Sequence, residues 1–367
     1  MIGGEMRSRR ERDEAGGAGR GRIESLDQFR GYTVAGMLLV NFAGGYQAVP
    51  AVLKHHNTYC SYADTIMPQF FFAVGFAFRM TLLRRLTRDG GEGAWRHAIV
   101  RNLWLILSGL VFYNLDGNYK SWEQLRELGV FGVVAGAFQR EPFQTLVHIG
   151  IASLWCLPAM AAGPLPRLGF LAFTTLLHLG LSAWFYDHYA WNRPVIDGGP
   201  LGFLSWSIPL LIGSLSYDLM KIEGRRWPVA RLAVWSLPPM AIGYGLSCLG
   251  TDGVAASPPF WPPTTARTIW TMSQRTGSVS YMLFSSGFSL LIYSGFVLAC
   301  DVGRLRFWLF DVLGKHALAA YLIHGTVGRA IQPFVPKDSP AWYLVCGLVV
   351  LYALTAAFVR QIGKGSI

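Results

Sequence analysis

Ile66-Met67-Pro68-Gln69-Phe70-Phe71-Phe72-Ala73-Val74-Gly75-Phe76-Ala77-Phe78-Arg79-Met80-Thr81-Leu82-Leu83 is an apolar run with one charged side chain, Arg79. As a helix it would rise about 27 Å, close to the ~30 Å of hydrocarbon that a bilayer presents. Nine further blocks of the same character flank it: Phe29–Phe42, Leu103–Tyr113, Leu146–Ala162, Leu168–Phe185, Leu201–Leu219, Ala230–Leu249, Tyr281–Ala299, Phe307–Val327 and Trp342–Val359. The shorter blocks reach spanning length with their flanking aromatic residues. The pattern predicts an all-α polytopic membrane protein of about ten transmembrane helices. Composition agrees, at 52% hydrophobic and 14% charged residues with a mean hydropathy of +0.34. Thirteen Trp, 15 Tyr and 23 Phe suit aromatic belts at two membrane interfaces.

The formal charge of +11 is carried mostly by alternate loops. The rich segments hold Arg7 to Arg22, then Arg84, Arg85, Arg88, Arg96 and Arg101, then Arg167, then Lys221 to Arg231, and finally Arg304, Arg306, Arg360 and Lys364. The loops between them are poorer. This bias predicts both termini in the cytoplasm, in a membrane of the bacterial inner (plasma) type. No basic patch with interleaved aromatics stands apart from these loops, so membrane lipid is an expected partner and nucleic acid is not. Residues 1–22 are mainly Arg, Glu and Gly, a basic tail too polar to bury a core and expected to be disordered; 23–363 form one membrane domain. The first span is expected to act as its own uncleaved anchor.

Between spans, Asn114–Glu141 is partly amphipathic and is expected to lie along the interface. The loop Thr251–Gln274 carries Ser257-Pro258-Pro259-Phe260-Trp261-Pro262-Pro263, a stiff extended segment that is either a lid or a plain stiffener. Cys156, Cys300 and Cys346 read as small apolar side chains, while Cys60 and Cys248 are expected near the outer side, where a pairing is left open. There is no CxxC or HExxH element to hold a metal, and no GxxxxGK loop of an ATP-driven pump.

The polar residues that carry chemistry gather near the chain's start. Asp27 and Arg30 share a helical face, either as a snorkelling ion pair or with the guanidinium turned to a phosphate-bearing ligand. Asn41 is either a helix-packing amide or a donor to a developing oxyanion. His55 and His56 occupy the first outer loop, and Asp64 stands at the entrance of the next span. A carboxylate orienting an imidazole is a general-base arrangement, although Asp64 also fits an N-cap. Lys315, His316 and His324 mark the two ends of a later span, where an intramembrane histidine faces protein or a polar cavity. Asp197-Gly198-Gly199-Pro200 reads as a turn and helix start.

The ordered set Ser25-Leu26-Asp27-Gln28-Phe29-Arg30-Gly31, Asn41-Phe42-Ala43-Gly44-Gly45, Lys54-His55 and Tyr62-Ala63-Asp64-Thr65-Ile66-Met67-Pro68 resembles the heparan-α-glucosaminide N-acetyltransferase family. That family is related to the broader transmembrane acyltransferases, whose first span also opens with Leu-Asp-x-x-Arg-Gly. The resemblance implies an acetyltransferase that moves an acetyl group from acetyl-CoA, its co-substrate, to a sugar-like acceptor reached from the opposite side of the membrane. It further implies His55, Asn41 and Asp64 as the catalytic residues. Arg30, Lys315 and His324 are the expected contacts of the acyl-CoA. Asn41 and His55 stand fourteen positions apart, a departure from the family's loop length, and His56 offers a second imidazole. The rival expectation is a secondary transporter or flippase for a small polar or glycolipid cargo, and the lipid-facing surfaces leave a homodimer open.

Overall fold

The computed structural model describes residues 23–114, 121–138, 142–193, 195–221, 228–249, 259–262 and 267–364. The basic tail 1–22 lies outside the described residues. Twelve helices are found among them: α1 Glu24–Ala43, α2 Tyr62–Arg88, α3 Gly90–Asn114, α4 Trp122–Phe138, α5 Thr145–Met160, α6 Pro164–Asn192, α7 Gly202–Met220, α8 Pro228–Ser247, α9 Val279–Val302, α10 Trp308–Lys315, α11 Ala317–Ile331 and α12 Ala341–Lys364. Every apolar block lies mainly on helix. The block Phe307–Val327 is divided into α10 and α11 at His316, whose backbone (φ −126°, ψ 41°) leaves the helical region.

Five segments are long and apolar enough to cross a membrane: α2, α6, Gly199–Met220, α9 and Ala341–Ile362. The structure is that of a helical membrane protein. Its outward faces fit, since α3 exposes Leu103, Trp104 and Leu107, α8 exposes Val234 and Trp235, and α12 exposes Val345, Val349 and Phe358. Helix α4, in the segment expected along the interface, is interrupted at Gly129 (φ +61°) and turns Val130 and Phe131 outward.

The interior is built on α2, α7 and α9, which bury Phe71, Phe72, Phe76, Trp206, Tyr217, Tyr281 and Tyr293 in one cluster. Small residues bring backbones together there, as expected where lipid supplies no hydrophobic drive between helices. A Cβ at Gly75 would overlap the carbonyl oxygen of Leu210, and one at Gly213 the carbonyl oxygen of Phe72, so α2 and α7 touch reciprocally. At one end of this contact Arg79 of α2 and buried Arg167 of α6 both turn onto Asp218 of α7. A half-buried carboxylate shared by two guanidiniums holds three helices in register.

The start of α2 decides where the chemistry sits. Ser61 is the N-cap, and its hydroxyl accepts from the Asp64 backbone N–H at 3.2 Å while Asp64 accepts from the Ser61 backbone N–H at 3.0 Å. Asp64 is therefore the third helical residue of a capping box, not the N-cap itself. Pro68 lacks the N–H that would bond the Asp64 carbonyl one turn back. Tyr281 of α9 fills that vacancy, its hydroxyl donating to the Asp64 carbonyl at 2.7 Å.

Candidate active site

His55 follows the short 3-10 turn Ala51–Leu53 and leans over the entrance of α2. Its Nδ1 lies 2.9 Å from Asp64 Oδ1. The other carboxylate oxygen accepts from the Ser61 hydroxyl at 2.8 Å, the Ser61 N–H at 3.0 Å and the His56 N–H at 3.3 Å. Asp64 is 1% exposed and thus fixed by three donors besides the imidazole. His55, by contrast, keeps 47% of its side chain open to a cavity. With Nδ1–H given to the carboxylate, Nε2 carries the lone pair. Burial works against charge on this ring, but Asp64, Asp197 and Gln274 outweigh it, so the imidazole holds its proton above its ordinary range.

The neighbouring imidazole is engaged elsewhere. His56 Nε2–H donates to the Ala51 carbonyl at 2.9 Å, and the ring stacks on Tyr59 with centroids 4.3 Å apart. Of the two histidines, His55 presents a ring nitrogen that the loop does not occupy.

The cavity beneath His55 has a volume of about 550 Å³ and lies between α1, α2, α5 and α11. Asn41, near the end of α1, lines it, and its amide nitrogen is 3.3 Å from Nε2 of His324 on α11. Nδ1 of His324 meets the Tyr321 carbonyl, which can only accept, so Nε2 is the acceptor for the Asn41 amide. His324, expected on the acyl-CoA, is thereby joined to Asn41 inside the histidine cavity.

On the opposite wall stands Asp197, read from sequence as part of a turn. It is 7% exposed, and its backbone is left-handed (φ +54°), as are those of Gly198 and Gly199. This unusual run is held from several sides. The Trp206 indole donates to the Asp197 carbonyl at 2.7 Å, Tyr186 holds the Gly198 carbonyl, and the Gly198 N–H donates to the Arg275 carbonyl at 3.1 Å. Gln274 donates its amide to Asp197 Oδ1 at 2.7 Å. Burial pushes the Asp197 carboxyl up to about 6, against the opposing pull of Gln274 and His55. Gln274 and Asp197 escaped the sequence reading because they come from loops distant in the chain; the consecutive Asp-Gly-Gly was the one local signal of a special backbone.

A second cavity, about 570 Å³, opens at the other end of the bundle. Its walls are apolar, among them Phe70, Ala73, Val74, Leu146 and Ile149, and its polar lining includes Arg30, Arg85, His97 and Arg101. Burial, then Arg85 and Arg101, push His97 below its ordinary range, which reports a positive local potential. Arg30 lies 3.7 Å from Asp27. Lys315, also expected on the acyl-CoA, lines neither cavity; its ammonium is 2.6 Å from Asp311 one turn earlier. The two cavities approach each other at Met67 and Phe70 of α2 and at Thr145 and Leu146 of α5. From Asp64 to Arg85 along α2 is about 30 Å.

Cys60 and Cys248 are free thiols and do not pair. Of the proline-rich loop, residues 250–258 and 263–266 lie outside the described residues. Phe260 is seated against Phe284 and Phe288 of α9, and its N–H donates to the Cys60 carbonyl at 2.7 Å, which anchors that part of the loop.

No curated protein matches the chain significantly. Residues 22–195 match the family model described as heparan-alpha-glucosaminide N-acetyltransferase, catalytic, a span that includes Asn41, His55 and Asp64. Over this segment, just under half of its length, the chain is similar to the heparan-alpha-glucosaminide N-acetyltransferases, a family of acetyltransferases.

Proposed function

We propose that the protein transfers an acetyl group from an acyl-CoA taken up at the basic cavity to an acceptor held in the His55 cavity, across a bundle of ten spans with both termini cytoplasmic. One observation carries this reading: a carboxylate-oriented imidazole at one end of α2 and a basic, apolar-walled cavity at its other end. The guanidiniums of Arg30, Arg85 and Arg101 suit the phosphates of coenzyme A, and the apolar walls suit its thioester arm. When bound, the coenzyme supplies an activated acyl group.

The chain's own residues then act as follows. Nε2 of His55 takes a proton from the acceptor as it attacks, and Asp64 steadies the imidazolium at Nδ1. Asn41, held by His324, directs amide N–H toward the carbonyl oxygen as charge builds on it. If His55 itself receives the acetyl group before the acceptor arrives, initial rates follow a ping-pong pattern and labelled protein accumulates without acceptor.

Coenzyme A binding tests the proposal against the transporter reading. Millimolar coenzyme A should raise the melting temperature of the purified protein by mass action. No shift at that concentration, together with no thiol release from acetyl-CoA, would favour the transporter.

A further inference from the structure

The basic cavity is open along one side. Trp104 of α3 and Leu318 of α11 line it while remaining 62% and 44% exposed, and Leu103 and Leu107 beside Trp104 face outward with the other apolar side chains of α3. Its lining runs from Ala94 to Ser108 on α3 and from Phe70 to Arg85 on α2, about 21 and 22 Å of helix. The cavity is therefore a groove longer than the ~15 Å of hydrocarbon in one leaflet, half of the bilayer core. Charge is confined to one half, where Arg85 and His97 stand near the α2–α3 turn and Arg101 one turn further along α3. Phe70, Val74, Leu105, Leu146 and Ile149 line the other half. Two of the cations have donors to spare. Nη1 of Arg85 donates to Asp89 at 3.0 Å, but its Nε is buried without an acceptor. Arg101 makes no ion pair among the described residues. Guanidiniums at the mouth of a side-open apolar groove complement a molecule with an anionic head and an apolar tail.

We propose that this groove also seats an anionic phospholipid of the adjoining leaflet, its phosphate on Arg85 and Arg101 and one acyl chain laid between α2 and α3. The lipid enters sideways, between Trp104 and Leu318, by diffusion within the leaflet. A choline headgroup brings its own cation toward Arg85, His97 and Arg101 and is disfavoured, so the site selects net negative charge. The proposal rests on the acyl-CoA reading above and adds a competitor to it. The same guanidiniums serve the phosphates of lipid and coenzyme, so occupancy by one excludes the other. Anionic lipid then raises KM for acetyl-CoA and leaves kcat unchanged, because no reacting atom is touched.

Native mass spectrometry of the full-length protein in neutral detergent tests this, with phosphatidylglycerol and phosphatidylcholine of identical chains offered in turn. Phosphatidylglycerol should stay bound and phosphatidylcholine should not. Replacing Arg85 and Arg101 together by glutamine should weaken that retention roughly ten- to thirtyfold. Ala77→Trp, which fills the groove and removes no charge, should weaken it as well; should that variant fail to elute as a single folded species, Leu318→Trp at the side opening takes its place. Millimolar coenzyme A should displace the lipid, and glycerol phosphate at the same concentration should not. Equal retention of the two lipids, or retention that none of these variants changes, overturns the inference, and displacement by glycerol phosphate would make the site one for phosphate alone. Loss of the lipid site with stabilisation by coenzyme A intact leaves the acyl-CoA reading standing. A retained phosphatidylglycerol that coenzyme A neither displaces nor adds stability to overturns the acyl-CoA reading and keeps the lipid site.

Discussion

The amide of Asn41 and Nε2 of His324 lie 3.3 Å apart, joining the end of α1 to α11 across the cavity. Because the Tyr321 carbonyl claims Nδ1 of the same ring, the contact fixes which way the amide faces. Asn41→Ala should reduce kcat by about 10²-fold, the loss expected of an oxyanion donor. His324→Ala should cost less, and the double variant should cost little more than Asn41→Ala alone. Additive losses would mean that His324 does not work through Asn41.

His55→Ala should lower turnover by about 10²–10⁴-fold and leave the melting temperature near that of the wild type at pH 8. His56→Ala should matter much less, since that ring is bonded to Ala51 and stacked on Tyr59. Steady-state rates of the two variants decide it, and reversed behaviour would exchange the two imidazoles.

The pH profile follows from the direction of the His55 shift. The base must be neutral to work and its proton is held above the ordinary range, so kcat/KM should rise with pH through an apparent value above about 6.5. Asp64→Asn removes the main partner of the charged ring and should move this limb downward. The same pair contributes stability that is fully present below about pH 6.5 and lost as pH rises through the raised folded value. Melting temperatures of wild type and His55→Ala should therefore converge on the alkaline side.

Arg85→Gln and Arg101→Gln should each raise KM for acetyl-CoA with little change in kcat, because they remove charge from the phosphate end and none from the reacting atoms. Added salt should weaken binding more in the wild type than in the double variant.

The proposed ten-span arrangement predicts sidedness. With Cys248 and Cys346 replaced by serine, a thiol introduced at Ser8 should label only from the cytoplasm and one at Asp338 only from outside. Labelling of both from one side would require an odd number of spans.

Apolar periodicity made the helices legible, because a span must be apolar along its whole length, and every block became mainly helix. It concealed the break at His316, where backbone geometry changes with no change in hydropathy. The His55–Asp64 pair was legible because nine positions of chain separate the two residues and a helix start fixes one of them. Asp197 and Gln274 meet only through folding, seventy-seven positions apart, and the basic cavity needed Arg30, Arg85 and Arg101 to be gathered from three helices. Each looked like an ordinary loop or interface charge when read along the chain.

The near-meeting of the two cavities at Met67 and Phe70 has a consequence for permeability. A bundle hollowed from both ends is one helical turn, about 5 Å, from being a pore. Under the proposed transfer, that septum must admit an acyl thioester and still refuse protons and ions, which calls for large side chains that close when the arm withdraws. Phe70, Met67 and Leu146 have that character, and trimming Phe70 to alanine would turn a transferase into a leak, visible as dissipation of a pH gradient across reconstituted vesicles.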